Sequence, residues 1–159
     1  MSTRNLTMVV DRDYAQNHEL GFAQDPWNLG DKSYVNMYLH HDGYPEWQGV
    51  QLANWCKANA RQDGTAMAAK LVHDMYYDSC YLYAEPQSID HNYTYVIWTG
   101  DSDDIWISCY DQYTSKCVFV LTPDKIIEKY KSDMDYTDFE KDTRLTQRFK
   151  KIEKLVNTN

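Results

Sequence analysis

The stretch NYTYVIWTGDSDDIWISCYDQYTSKCVFVL, residues 92–121, decides the fold class. Three runs rich in β-branched and aromatic residues, 92–99, 105–110 and 116–121, are separated by Gly100-Asp101-Ser102-Asp103-Asp104 and by Asp111-Gln112-Tyr113-Thr114-Ser115. Strand formers broken by turn formers at this spacing predict an antiparallel meander. In the first run Tyr93, Tyr95 and Ile97 alternate with Thr94, Val96 and Trp98, a period of two that belongs to a strand.

Outward from the meander, residues 5–12 (NLTMVVDR) and 33–40 (SYVNMYLH) read as two earlier strands, and Tyr81-Leu82-Tyr83 as a weak one. Residues 13–32 carry Gly21, Pro26 and Gly30 together with Phe22 and Trp27, and read as a long, partly aromatic loop. Val50, Ala53, Trp55, Cys56 and Ala60 recur at helical spacing, so a helix is expected over 46–61, stopped by Asp63-Gly64. Thr65 is the expected cap of a second helix through Tyr77, with Met67, Leu71, Val72 and Met75 on one side. Thr122-Pro123 opens a short helix to Lys131. Thr137-Asp138-Phe139-Glu140 matches a capping box, and Leu145, Phe149, Ile152 and Val156 form the stripe of an amphipathic C-terminal helix. The expected fold is therefore α+β, an antiparallel sheet covered on one face by helices, with residues 1–136 as a single domain and the helix of 137–159 packed on it.

A chain of 159 residues fits one domain of the usual size of about 100–200 residues. No apolar run approaches the ~18 residues of a membrane span, and the N-terminus lacks the basic-then-apolar order of a signal peptide, so a cytoplasmic protein with no membrane partner is expected. Cys56, Cys80, Cys109 and Cys117 are far apart and form no C-x-x-C pair. They read as free thiols in a reducing compartment, although Cys109 and Cys117 could face each other across a hairpin. The net charge of −8 arises before residue 137, since the last 23 residues hold six Lys and Arg against four Asp and Glu. An acidic body repels phosphate backbones, which disfavours broad nucleic-acid binding. Fourteen Tyr and five Trp exceed what a core of this size needs and suit interfaces and ligand pockets.

The densest polar cluster is His40-His41-Asp42-Gly43-Tyr44-Pro45-Glu46-Trp47, at the junction of a strand and a helix. Helix N-termini present N–H groups that favour anions, and Gly43 and Pro45 hold such a turn in shape. In the plainest use, Asp42 or Glu46 caps the helix and His40 anchors the turn; the alternatives are a ligand contact or an acid/base role for His40 with Asp42 orienting it. A metal site at His40, Asp42 and Glu46 is not assigned, because one turn does not spread its ligands around an ion, and no cofactor is expected. Asp101, Asp103 and Asp104 lack the glycine and distant Glu of a calcium loop and read as a solvated turn. His73, Asp74 and His91 read as structural, and the basic side chains of 144–154 as the solvated face of the last helix. P-loop, dinucleotide, G-x-S-x-G and HExxH signatures are absent, and no nucleophile or other catalytic residue is assigned.

Met1-Ser2-Thr3-Arg4 leading into a strand, with Tyr38-Leu39-His40-His41-Asp42-Gly43-Tyr44-Pro45-Glu46 followed by Gly49, resembles a family of small uncharacterised phage and prophage proteins. There a tyrosine-rich strand ends in H-x-D-G-Y-P-E before a helix. The likeness covers the first third of this chain, which departs from it in the longer loop of 13–32 and the added C-terminal helix. The resemblance implies a phage setting and no particular activity. With the acidic, tyrosine-rich composition it leads to an expected phage accessory protein, not an enzyme, that binds and neutralises or sequesters a host component in host takeover or anti-defence. Its partner would be a nucleotide-like immune signal or a host protein. Tyr38, His40, Asp42, Tyr44, Glu46, Trp47 and Arg4 are the expected binding residues. The alternatives are a small phosphodiesterase-like hydrolase using His40 or an inhibitor of a protein partner through its acidic surface; a homo-oligomer stays open.

Overall fold

A computed structural model describes residues 3–15, 21–76, 80–86 and 90–131. Within them lie strands β1 (Asn5–Val10), β2 (Ser33–Leu39), β3 (Cys80–Leu82), β4 (Tyr93–Trp98), β5 (Trp106–Asp111) and β6 (Lys116–Leu121), and helices α1 (Val50–Asn59), α2 (Gly64–Met75) and α3 (Pro123–Tyr130). The strands form one sheet in the order β3-β2-β1-β4-β5-β6. All neighbours are antiparallel except β1 and β4, which run parallel with Thr7 beside Tyr95. This is the expected α+β class. The parallel pair joins the N-terminal strands to the meander, across nearly ninety residues of sequence.

Strand alternation builds a core on each face. Val9, Met37, Leu39, Tyr95, Ile97, Ile107, Cys109 and Phe119 pack beneath the helices, whose Leu52, Trp55, Met67, Leu71 and Ile126 are buried against them. Leu6, Met8, Val10, Tyr38, Val96 and Trp98 point the other way. That second face is covered by the segment expected to be a loop, which winds through 3₁₀ turns at Arg12–Ala15, Gly21–Ala23 and Pro26–Leu29. Leu29 is buried against the second core, and the Phe22 ring meets Trp98 edge-on at 5.2 Å.

Three local expectations change. Residues 46–49 are not regular α-helix: Pro45–Gly49 forms a wider π turn before α1, and the extra residue per turn shifts the apolar spacing that sequence periodicity follows. Asp63 rather than Thr65 caps α2, its Oδ1 accepting from Thr65 N at 3.0 Å and Ala66 N at 3.4 Å. The hairpin bulge between Cys109 and Tyr110 pairs Cys109 with Phe119 and Tyr110 with Cys117, so the two cysteines are not opposite each other. All four cysteines are free, and three of them are buried. The C-terminal helix expected at 137–159 lies outside the described residues, as does Tyr77. Among the described residues no helix is long and apolar enough to cross a membrane.

Candidate functional site

The turn after β2 is fixed by backbone. Asp42 adopts a left-handed conformation, φ 60°, which aims the chain away from the strand. Gly43 N then donates to Thr3 O at 2.9 Å, and a side chain at 43 would collide with Asn5 and Thr3, its Cβ falling 2.7 Å from their atoms. Tyr95 donates its hydroxyl to Gly43 O at 2.5 Å from beneath. Burial pushes the Tyr95 phenol well above its ordinary pKa of 10.0, which keeps it protonated and a donor. The cap position falls on Tyr44, whose side chain makes no capping bond; neither Asp42 nor Glu46 occupies it.

This geometry divides the expected binding residues. Tyr38 and His40 lie on the face opposite the helices, where the Tyr38 hydroxyl meets His40 Nδ1 at 2.6 Å. Burial raises the Tyr38 pKa above 10.0 and the charge of Arg4 pulls it back, so Arg4 belongs to the same group. Arg4 Nη2 is also 3.5 Å from the exposed Asp90 carboxylate. Trp47 packs instead against the helix-side core, with Tyr44 in edge contact at 6.4 Å between ring centroids. Glu46 is on that side as well, where its charge adds to the raised pKa of Tyr93, whose main cause is burial. The turn thus separates Arg4, Tyr38 and His40 from Tyr44, Glu46 and Trp47, with Asp42 at the crossing.

Further residues join the first group. Tyr81 of β3 is paired with Tyr38 and is 54% exposed, its ring 6.1 Å from that of Tyr38, and Tyr83 meets Tyr38 edge-on at 5.9 Å. The neighbouring His91 is buried, its Nε2 2.6 Å from Thr94 Oγ1, which also accepts from Gln112 Nε2 at 2.7 Å. Sequence inspection missed Tyr81, Tyr83 and Asp90 because strand pairing gathers them from 40 to 90 residues away; the tyrosine excess was the only signal.

The Nδ1 partner of His40 is Tyr38, and the one hydrogen bond they share orients the imidazole. Among the described residues no group of three or more His, Cys, Asp or Glu is placed to hold a metal ion. His73 contacts buried Asp74 at 2.9 Å in a structural network with Trp55, and Asp104 closes its hairpin turn against Arg12. Comparison with protein-family models, with curated proteins and with solved structures finds no match.

Proposed function

We propose that this chain is a non-enzymatic phage accessory protein that sequesters a host component in the host cytoplasm, with a nucleotide-like signal as its ligand. The phage setting comes from the sequence resemblance alone. The observation that carries the binding mode is the convergence, at one end of the sheet, of the Arg4 guanidinium, the Tyr38–His40 pair and the exposed Tyr81 ring. A cation and an N–H donor suit phosphate oxygens, and an exposed tyrosine suits a stacked base. Arg4 supplies the positive charge of this group on an otherwise acidic body, shared with the Asp90 carboxylate 3.5 Å away.

The test is mass spectrometry of molecules released when the protein, purified from host cells, is denatured. A nucleotide released from the native chain and absent from an Arg4→Ala/His40→Ala variant of unchanged melting temperature supports the reading. Release of a chemically altered nucleotide would instead mean turnover and restore the hydrolase. A second reading, inhibition of a protein partner, is favoured by one other feature. Tyr34, Val35, Ala68, Val72 and Leu82 line an apolar groove of about 380 Å³ between α2 and the β3 edge, and the Tyr34 and Leu82 side chains are exposed. Host protein retained by the chain, with no nucleotide released, would favour that reading.

A further inference from the structure

Trp27 stands on the covering segment with 44% of its surface exposed, between buried neighbours. Its 3₁₀ turn is pinned by buried Pro26 and Leu29, and Asp25 Oδ1 accepts from Trp27 N at 3.0 Å. A large ring held outward by a preorganised turn loses little conformational freedom when a partner covers it.

Two hollows flank the indole. One, of about 560 Å³, is lined by Trp27 with Asp31 and Glu85; the other, about 140 Å³, by Trp27 with Asp90, His91, Gln112 and Tyr113. Tyr113 is 69% exposed, so the smaller hollow has an aromatic ring on two sides and a carboxylate at its rim. An aromatic face beside a carboxylate is the arrangement that attracts organic cations, and Trp is the strongest such face. Among the described residues, Lys32 lies 3.3 Å from Asp31 and Arg4 lies 3.5 Å from Asp90, and both carboxylates are exposed. Glu85 has no ion pair among the described residues.

We propose that the Trp27 ridge binds a basic peptide segment of a protein partner, one cationic side chain entering the hollow on each side of the indole. Charge complementarity selects this occupant. The chain carries −8 overall, and Asp31, Glu85 and Asp90 rim the two hollows, which disfavours a phosphate-bearing ligand there and favours arginine or lysine. The ridge meets the Tyr38–His40 group at Asp90, whose carboxylate is 3.5 Å from Arg4, while Trp27, Asp31, Glu85 and Tyr113 belong to the ridge alone.

The experiment is fluorescence anisotropy of a labelled arginine–glycine repeat peptide titrated with the full-length protein, alongside a labelled oligothymidylate. The expected result is peptide binding that weakens with added salt, falls roughly tenfold in Trp27→Ala, and also falls in Asp31→Asn/Glu85→Gln/Asp90→Asn. Trp27→Phe should recover part of the loss, and His40→Ala should leave peptide affinity unchanged. Because Trp27 is exposed, its variants are expected to melt at the native temperature, and a second readout, quenching of tryptophan fluorescence by unlabelled peptide, should vanish in Trp27→Phe. Three results would overturn the proposal: peptide affinity equal in wild type and Trp27→Ala, loss on neutralising the acids with none on removing the indole, or oligothymidylate binding that depends on Trp27.

Discussion

On the helix side of the sheet Trp55 of α1 is fully buried and donates from Nε1 to the Asp74 carboxylate of α2 at 2.8 Å. On the other side Trp98 of β4 is just as buried, donates to Ser108 Oγ at 3.1 Å, and is roofed by Phe22 from a segment whose described residues form 3₁₀ turns. Two tryptophans reach the same burial under covers of different kinds. Burial thus does not require a periodic cover; a few well-placed apolar side chains on 3₁₀ turns suffice. The difference also bears on function: the helices present a continuous packed layer, whereas the irregular cover leaves Trp27 and the rim around His40 open to solvent.

The largest effects should come from testing whether the irregular cover carries as much stability as the helices. Trp55→Ala and Trp98→Ala should each cost about 3–5 kcal/mol, and Leu29→Ala, which removes a buried side chain of the cover itself, about 2–5 kcal/mol, all read by urea unfolding. Should Leu29→Ala cost under about 1 kcal/mol, the cover is an ornament on a sheet stabilised from one side only, and the comparison fails.

A smaller effect should separate scaffold from contact residues within the turn. Gly43→Ala drives a Cβ to 2.7 Å from Asn5 and Thr3, where backbone cannot yield freely, and should cost about 1–3 kcal/mol. His40→Ala, at a partly buried position at the end of the strand, should change stability by about 0.5 kcal/mol or less while weakening ligand retention. Equal losses in the two would return His40 to the plain role of turn anchor.

The same contrast explains what the sequence allowed to be read. Period two in residues 93–98 and helical spacing in α2 and α3 are local patterns, and the strands of the meander and these helices lie within a residue or two of expectation. The cover was invisible because 3₁₀ turns have no long apolar period; Phe22 and Leu29 look like loop residues until Trp98 and Leu6 are seen under them. Of the candidate site, the shape of the turn was legible in Gly43 and Pro45. Its division into two groups was not, since that depends on the left-handed Asp42 and on the parallel pairing of β1 with β4, neither of which has a local signature.

The smallest predicted effect is a pH dependence confined to the helix side. Asp74, 1% exposed, is the single buried carboxylate among the described residues and lies between the helices, while the buried polar groups of the other face, such as Asn36 and Ser108, carry no carboxylate. Burial by itself would raise the Asp74 pKa, but hydrogen bonds from His73 and Trp55 and the charge of Lys70 outweigh it and hold the carboxyl below its ordinary 3.8. A carboxyl whose folded pKa is depressed stabilises the protein fully above its unfolded pKa, and that contribution disappears as pH falls through the folded value. Stability of the native chain should therefore decline below about pH 4, and Asp74→Asn should lack that part of the decline. Every other carboxylate is common to both proteins and cancels in the difference. Urea unfolding of the pair from neutral pH downward should show the native chain ahead by a constant margin that narrows only in the acid range. A margin unchanged across that range would mean that Asp74 titrates alike in the folded and unfolded chain, and that the helix layer, like the 3₁₀ cover, is held by packing without help from a buried charge.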